Sequence, residues 1–99
     1  VAALAQRPLA RRFFRLHVRP NGLALARLGI VVARKAVRGA VERNRVKRLV
    51  REVFRTERTG LSGLDIVVRV WRCPGREEAA AAREELRALL RERALAGGR

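Results

Sequence analysis

RLGIVVARKAVRGAVERNRVKRLVREVFR, Arg27 to Arg55, decides how this chain is read. Leu28, Ile30, Val31 and Val32 run together between Ala26 and Ala33, which predicts an apolar strand at the centre of a sheet. A basic loop follows with Arg34, Lys35 and Arg38, and then Gly39. From Val41–Asn44 to about Thr56 or Arg58 the spacing predicts a helix. Its core stripe is Val46, Leu49, Val50, Val53 and Phe54, recurring every three or four residues. Asn44, Arg48, Arg51 and Arg55 fall opposite that stripe, with Arg45 and Lys47 on its flanks. Arg43 stands at the helix start, where Asn44 serves equally well as a cap or as a recognition group.

Upstream, Arg12 to Arg19 alternates. Phe14, Leu16 and Val18 point one way, and Phe13, Arg15, His17 and Arg19 the other, as in a half-buried strand with a basic outer face. Pro20-Asn21-Gly22 is a turn signal, so the first two strands are expected to pair as an antiparallel hairpin. Downstream, Thr59 to Gly63 stops the helix, and Leu64 to Trp71 alternates as a third strand closed by Cys73-Pro74-Gly75. A last helix is expected from Arg76 to Leu95, with Glu77 and Glu78 in its first turn and a stripe of Ala79, Ala82, Leu86, Leu89 and Leu90. Its mixed charges read as a solvated face, and Gly97-Gly98-Arg99 as a fraying tail. The sum is an α+β domain, a small and mostly antiparallel sheet packed by helices.

Composition bounds the function. In 99 residues there are 24 Lys+Arg against 9 Asp+Glu, a formal net charge of +15, and Lys35 and Lys47 are the only lysines. That excess repels itself in a compact monomer and suits a polyanion binder. Coding bias accounts for Arg over Lys; it does not account for the shortage of acids. Apolar residues at 48% exclude a disordered basic tail. One cysteine and one histidine exclude a structural zinc site or a disulfide framework, and fit a reduced, cytoplasmic setting. No apolar run approaches the ~18 residues of a membrane span. The opening VAALAQRPLA is broken by Arg7 and Pro8 too soon for a signal peptide.

No nucleophile–base pair stands out. His17 reads as an exposed strand residue, Asp65 as a loop brace and Cys73 as a small apolar residue, so the chain alone should hydrolyse nothing. The basic stretch is different, because a solvated helix face normally mixes signs. Here only Glu42, Glu52 and Glu57 oppose the arginines, and they sit at or away from the centre of that face. Nucleic acid is the partner that such a face predicts, held through salt-sensitive phosphate contacts. A helix-turn-helix would need a helix just before the basic one, where a strand and loop are expected, so no DNA partner is predicted.

The run from Gly39 to Arg55, with Arg27 to Lys35 before it and GLDIVV (63–68) and Pro74-Gly75 after it, resembles the bacterial ribonuclease P protein component. The RNR-x-KR-x-x-R core in a strand–loop–helix setting carries that resemblance, which extends from about Arg12 to Leu95. It implies an α+β fold with a left-handed β-α-β crossover. It also implies two RNA partners, a catalytic ribonuclease P RNA and precursor tRNA, whose 5′ leader is removed by a ribonucleoprotein endonuclease. The RNA subunit does the chemistry with Mg2+, held mainly by RNA. By the same resemblance Arg43, Asn44, Arg45, Lys47, Arg48 and Arg51 face the catalytic RNA, and Arg34 and Lys35 match the basic pair that ends the second strand; the charge pattern itself adds Arg38 and Arg55 to the RNA-binding set. A central cleft of sheet and first helix grips the leader, with Phe13 and Leu16 at its strand positions. Two departures stand out. The family's N-terminal helix is missing or truncated in this single RNA-binding domain of residues 1–99, and the loop Ala36-Val37-Arg38 is one residue longer than the family's. The rivals are a ribosomal or other structural RNA-binding protein and, less favoured, an architectural DNA-binding protein.

Overall fold

Leu64–Val70, the most regular alternation in the chain, forms the middle of the sheet: Leu64, Ile66, Val68 and Val70 are buried, while Val67 and Arg69 are exposed. The structure is a computed structural model that describes residues 9–10 and 12–97. Its strands are β1 (Leu9–Ala10), β2 (Phe14–Pro20), β3 (Arg27–Val32) and β4 (Leu64–Val70). Its helices are α1 (Ala40–Glu57) and α2 (Ala79–Gly97), each joined to a short 3-10 turn, Arg58–Leu61 and Arg76–Glu78. The sheet order is β1-β2-β4-β3, with β1–β2 and β2–β4 antiparallel and β3–β4 parallel. The α+β class and the mostly antiparallel sheet are as expected. The two-residue strand β1 falls in a segment from which no strand was expected.

The expected hairpin does not form, because β4 lies between β2 and β3. The reason lies in the loop Asn21–Ala26, which spans the mouth of β4 instead of turning tightly. Asn21 N–H donates to Gly63 O at 2.9 Å, and Gly63 N–H donates to Leu25 O at 3.1 Å. The Asn21 side chain shapes the crossing, accepting from Leu23 N–H (2.7 Å) and donating to Leu25 O (3.1 Å). Gly22 (φ 71°) and Gly63 (φ 83°) take the left-handed conformation on either side of the crossing, which L side chains adopt only with strain. The turn chemistry was legible, but its strand partner was not. β3, expected at the centre, is therefore an edge strand, and Val31 lies exposed upon it.

Three strands are tied at one end by Asp65. It accepts from Arg27 Nε (2.7 Å) and Nη2 (2.8 Å) on β3, and from Asn21 Nδ2 (3.0 Å) just after β2. These donors, Arg27 first and Asn21 second, hold the Asp65 carboxyl down from 3.8 to about 2. A depressed carboxyl stabilises the fold above its unfolded pKa and loses that contribution as pH falls through the folded value. Wild type should therefore melt above Asp65→Asn at pH 5, and the gap should close between pH 3.8 and about 2 in thermal melts. A gap that persists at pH 2 would show that the charge is not what ties the strands.

Both helices cover one face of the sheet. Val46, Leu49, Val50, Val53 and Phe54 of α1 meet Ala82, Leu86, Leu89 and Leu90 of α2 over Phe14, Leu16, Ile66, Val68 and Val70. The two predicted helical stripes are thus the two halves of the core. α2 is more than a cover, however. Glu85 Oε2 accepts from Phe13 N–H (2.8 Å) and Phe14 N–H (3.0 Å), so one carboxylate among the charges read as a solvated face fixes the entry of β2. Gly98 and Arg99, expected to fray, lie outside the described residues, as do residues 1–8 and 11, where the remnant of an N-terminal helix was placed.

Candidate nucleic-acid interface

α1 begins at Ala40, just after Gly39, which is extended (φ −90°, ψ 147°) and contributes no side-chain cap. Asn44 consequently lies inside the helix and not at its start; it is exposed, and its capping reading falls away. The loop before the helix is anchored from both ends. Ala36 N–H and Val37 N–H both donate to Ala33 O at 3.0 Å, and the Val37 side chain is buried in the core. Arg43 reaches back from the helix to donate to Arg38 O at 3.0 Å. Val37 acts as a plug, so the loop holds Arg34, Lys35 and Arg38 outward on a fixed base.

The acids are drawn away from this surface. Glu42, Glu52, Glu57, Asp65, Glu78 and Glu84 each pair with an arginine. Among the described residues, the side chains of Arg34, Lys35, Lys47, Arg48, Arg51 and Arg55 form no ion pair. Arg48, Arg51 and Arg55 are exposed along α1, so their charge is balanced only by solution ions or by a polyanion.

Arg45 is a different case. Its Nη2 donates to Glu42 Oε2 at 2.7 Å and to Pro74 O at 2.6 Å, and lies 3.8 Å from Cys73 Sγ. The Arg45 hydrogen bond lowers the Glu42 carboxyl, and Glu42 in turn raises the Arg45 guanidinium. Arg45 thus braces the β4–α2 loop against α1, and an RNA contact there would compete with that brace. Arg43 is similarly half-used. Cys73 packs against the core as expected, and burial pushes its thiol up.

The cleft assignments need correction. Phe13 (1% exposed) and Leu16 (0%) are core residues in this chain, so neither is free to meet a base. Phe13 precedes β2 in a bend, which breaks the alternation that put it outside. Its ring meets Phe14 edge-on at 6.2 Å and lies within 4.9 Å of the Arg12 guanidinium and 5.8 Å of that of Arg72. The helix that walls such a cleft in the family is the N-terminal one, which falls on residues outside the described ones, while α1 packs on the buried face of the sheet. Among the described residues, the face left open is the opposite one of the sheet. In register across it stand Arg15–Arg69–Val31, His17–Val67–Gly29 and Arg19–Asp65–Arg27, with Trp71 just beyond the end of β4. Trp71 is 45% exposed, and the Arg15 guanidinium sits 5.4 Å from its ring centroid. Basic and apolar groups on one open sheet suit single-stranded RNA, which binds by stacking and phosphate contacts. Sequence reasoning passed over Trp71, although the alternation already put it on the same side as Arg69 and Val67.

Among the described residues no three His, Cys, Asp or Glu side chains cluster as a ligand set, so they form no all-protein cage for Mg2+. No helix among them is long and apolar enough to cross a membrane.

The family model described as Ribonuclease P matches residues 3–94. The ribonuclease P protein component of Chromobacterium violaceum is 49% identical over 77 residues, covering 78% of this chain and 64% of that protein. That of Azoarcus sp. is 52% identical over 65 residues, 66% of this chain and 54% of that protein. The chain therefore spans between half and two thirds of these curated relatives. Among solved structures, the RNase P protein from Thermotoga maritima in complex with 1-(4-fluorophenyl)-2-thiourea superposes with a TM-score of 0.70 at 36% identity, covering 85% of this chain and 82% of the other. The Staphylococcus aureus RNase P protein gives 0.63 at 28% identity, covering 94% and 81%. Sequence and fold converge on one assignment: the chain belongs to the ribonuclease P protein family.

Proposed function

We propose that this chain is the protein subunit of ribonuclease P, binding a catalytic RNA and the 5′ leader of precursor tRNA and assisting magnesium-dependent removal of that leader. The observation that carries the reading is the exposed row Arg48, Arg51 and Arg55 on α1, without an ion pair among the described residues, continued by Arg34, Lys35 and Arg38 in the preceding loop. These cations face the catalytic RNA. They screen repulsion between two polyanions, which raises substrate affinity and lowers the free magnesium required. The metal stays on RNA phosphates, and the protein positions substrate without entering the bond-breaking step. The leader lies on the open sheet face, its bases against Trp71 and Val67 and its phosphates near Arg15 and Arg69.

Reconstitution tests this directly. The chain is mixed with a bacterial ribonuclease P RNA and labelled precursor tRNA at low magnesium, with protein-alone and RNA-alone controls. Leader removal in the mixture alone is the expected outcome. Tight RNA binding without restored cleavage would instead mark a structural RNA-binding protein.

A further inference from the structure

The first turns of α2 and the middle of α1 leave a groove of about 230 Å³ between them, whose walls carry Arg45, Arg48, Arg76 and Arg83 against one acid, Glu52. Four guanidinium groups do not converge on one cavity without cost, because their mutual repulsion is weakly screened in a recess. The structure offsets part of it through Glu42, which pairs with Arg45 at 2.7 Å and also feels Arg76, but Arg48 and Arg83 are left with less. Arg83 Nε is 3.4 Å from Glu52 Oε1, a long ion pair without hydrogen-bond geometry. The Nε atoms of Arg83 and Arg45 are buried and have no hydrogen-bond partner among the described residues. Arg48 and Arg76 make no ion pair or side-chain hydrogen bond among them either. The Glu52 side chain is 48% exposed, so it is free to turn outward from an arriving anion.

We propose that this groove is a phosphate site, in which Arg76, in the turn before α2, and Arg83, on α2, join Arg48 of α1 to hold one phosphate of the partner RNA's backbone. Planar guanidinium forks match phosphate oxygens two by two, and an anion here would satisfy the stranded Arg83 Nε. RNA is the favoured source because Arg48 belongs both to the groove and to the exposed row of α1, so the groove opens on the edge of that surface. The assignment to a backbone phosphate rests on the RNA-binding reading above. It extends the contact surface to α2, whose arginines read from sequence as a solvated face.

Two titrations on the full chain test it. In the first, inorganic phosphate is added while the arginine Nε–Hε resonances are followed by NMR. Saturable shifts at Arg48, Arg76 and Arg83, absent from Arg55 and Arg69, are expected. In the second, affinity for a ribonuclease P RNA is measured against salt. Arg76→Gln with Arg83→Gln should weaken binding about tenfold and lower the salt slope by about 0.9, one phosphate's worth of released counterions. Arg76→Gln alone, at an exposed position with no ion pair among the described residues, should act in the same direction without touching the Arg83–Glu52 pair, which guards against misfolding. Arg87→Gln with Arg91→Gln removes equal charge from arginines paired to Glu57, and should leave the slope unchanged. An equal loss in that control, or an unchanged slope in the groove variants, overturns the backbone assignment. Absence of the phosphate shifts overturns the site itself. Shifts in a chain that fails to bind the RNA would leave the phosphate site standing while the subunit reading falls.

Discussion

Reversing two charges on α1, Arg48→Glu with Arg51→Glu, should lower affinity for ribonuclease P RNA by about a hundredfold or more at moderate salt, and flatten the salt dependence by about two phosphate contacts. Both side chains are exposed and neither takes part in an ion pair among the described residues, so the fold loses no such contact when they change. Exposed substitutions of this kind move stability by about 0.5 kcal/mol or less. A carboxylate at position 51 would lie one helical turn from both Lys47 and Arg55, which offsets part of even that. The effect on binding is larger because each reversal removes a counterion-releasing contact and adds a repelling carboxylate. Filter binding or fluorescence anisotropy across a salt series reads both affinity and slope, with circular dichroism to certify the helix. Arg45 is a poor choice for this test, since it holds Glu42 and Pro74 O, and its removal would mix binding with structure. An unaltered affinity in the double variant would remove α1 from the interface and with it the central observation behind the proposed function.

The largest stability effect is expected from a residue with no part in RNA binding. Glu85→Ala strands two backbone donors, Phe13 N–H and Phe14 N–H, in residues that are 1% and 0% exposed. A buried donor left without a partner costs about 1–3 kcal/mol. The pair therefore amounts to about 3 kcal/mol, a large share of the roughly 5–15 kcal/mol typical of a domain. For a chain of this size that lowers Tm by roughly 12–20 °C. Glu85→Gln keeps one acceptor oxygen, uncharged, and should fall about midway. Thermal and urea melts of the three proteins decide it. If Ala and wild type melt within about 2 °C, water reaches these amides and the carboxylate is not what fixes β2. Loss of this anchor would also loosen Arg15, next along the strand, and so blunt the open face beside Trp71.

Much of the domain was legible because periodicity reports burial directly. The stripes of α1 and α2, and the alternation of β4, came through residue by residue, since a helix or strand with one wet face must repeat its apolar residues at that element's own period. The unopposed arginines were legible for a related reason: charge composition survives any fold. Who pairs with whom was not. Pro20-Asn21-Gly22 carries the chemistry of a turn, but whether that turn closes a hairpin or bridges an intervening strand depends on Gly63, far away in the chain. Phe13 had the phase of an exposed strand residue, and only the bend before β2 turned it into the core.

By itself, then, the chain's amino-acid order determined its main helices and strands, the core stripes of α1, α2 and β4, and its excess of positive charge, all of which are properties of local pattern and composition. Tertiary structure alone decided which arginines are spent and which are free. Arg45 and Arg27 are held by a proline carbonyl and an aspartate from distant segments, while Arg48, Arg51 and Arg55 are held by nothing described in the protein. An ion pair needs only a few ångströms of closeness in space, and that closeness between remote segments is what periodicity and composition do not encode.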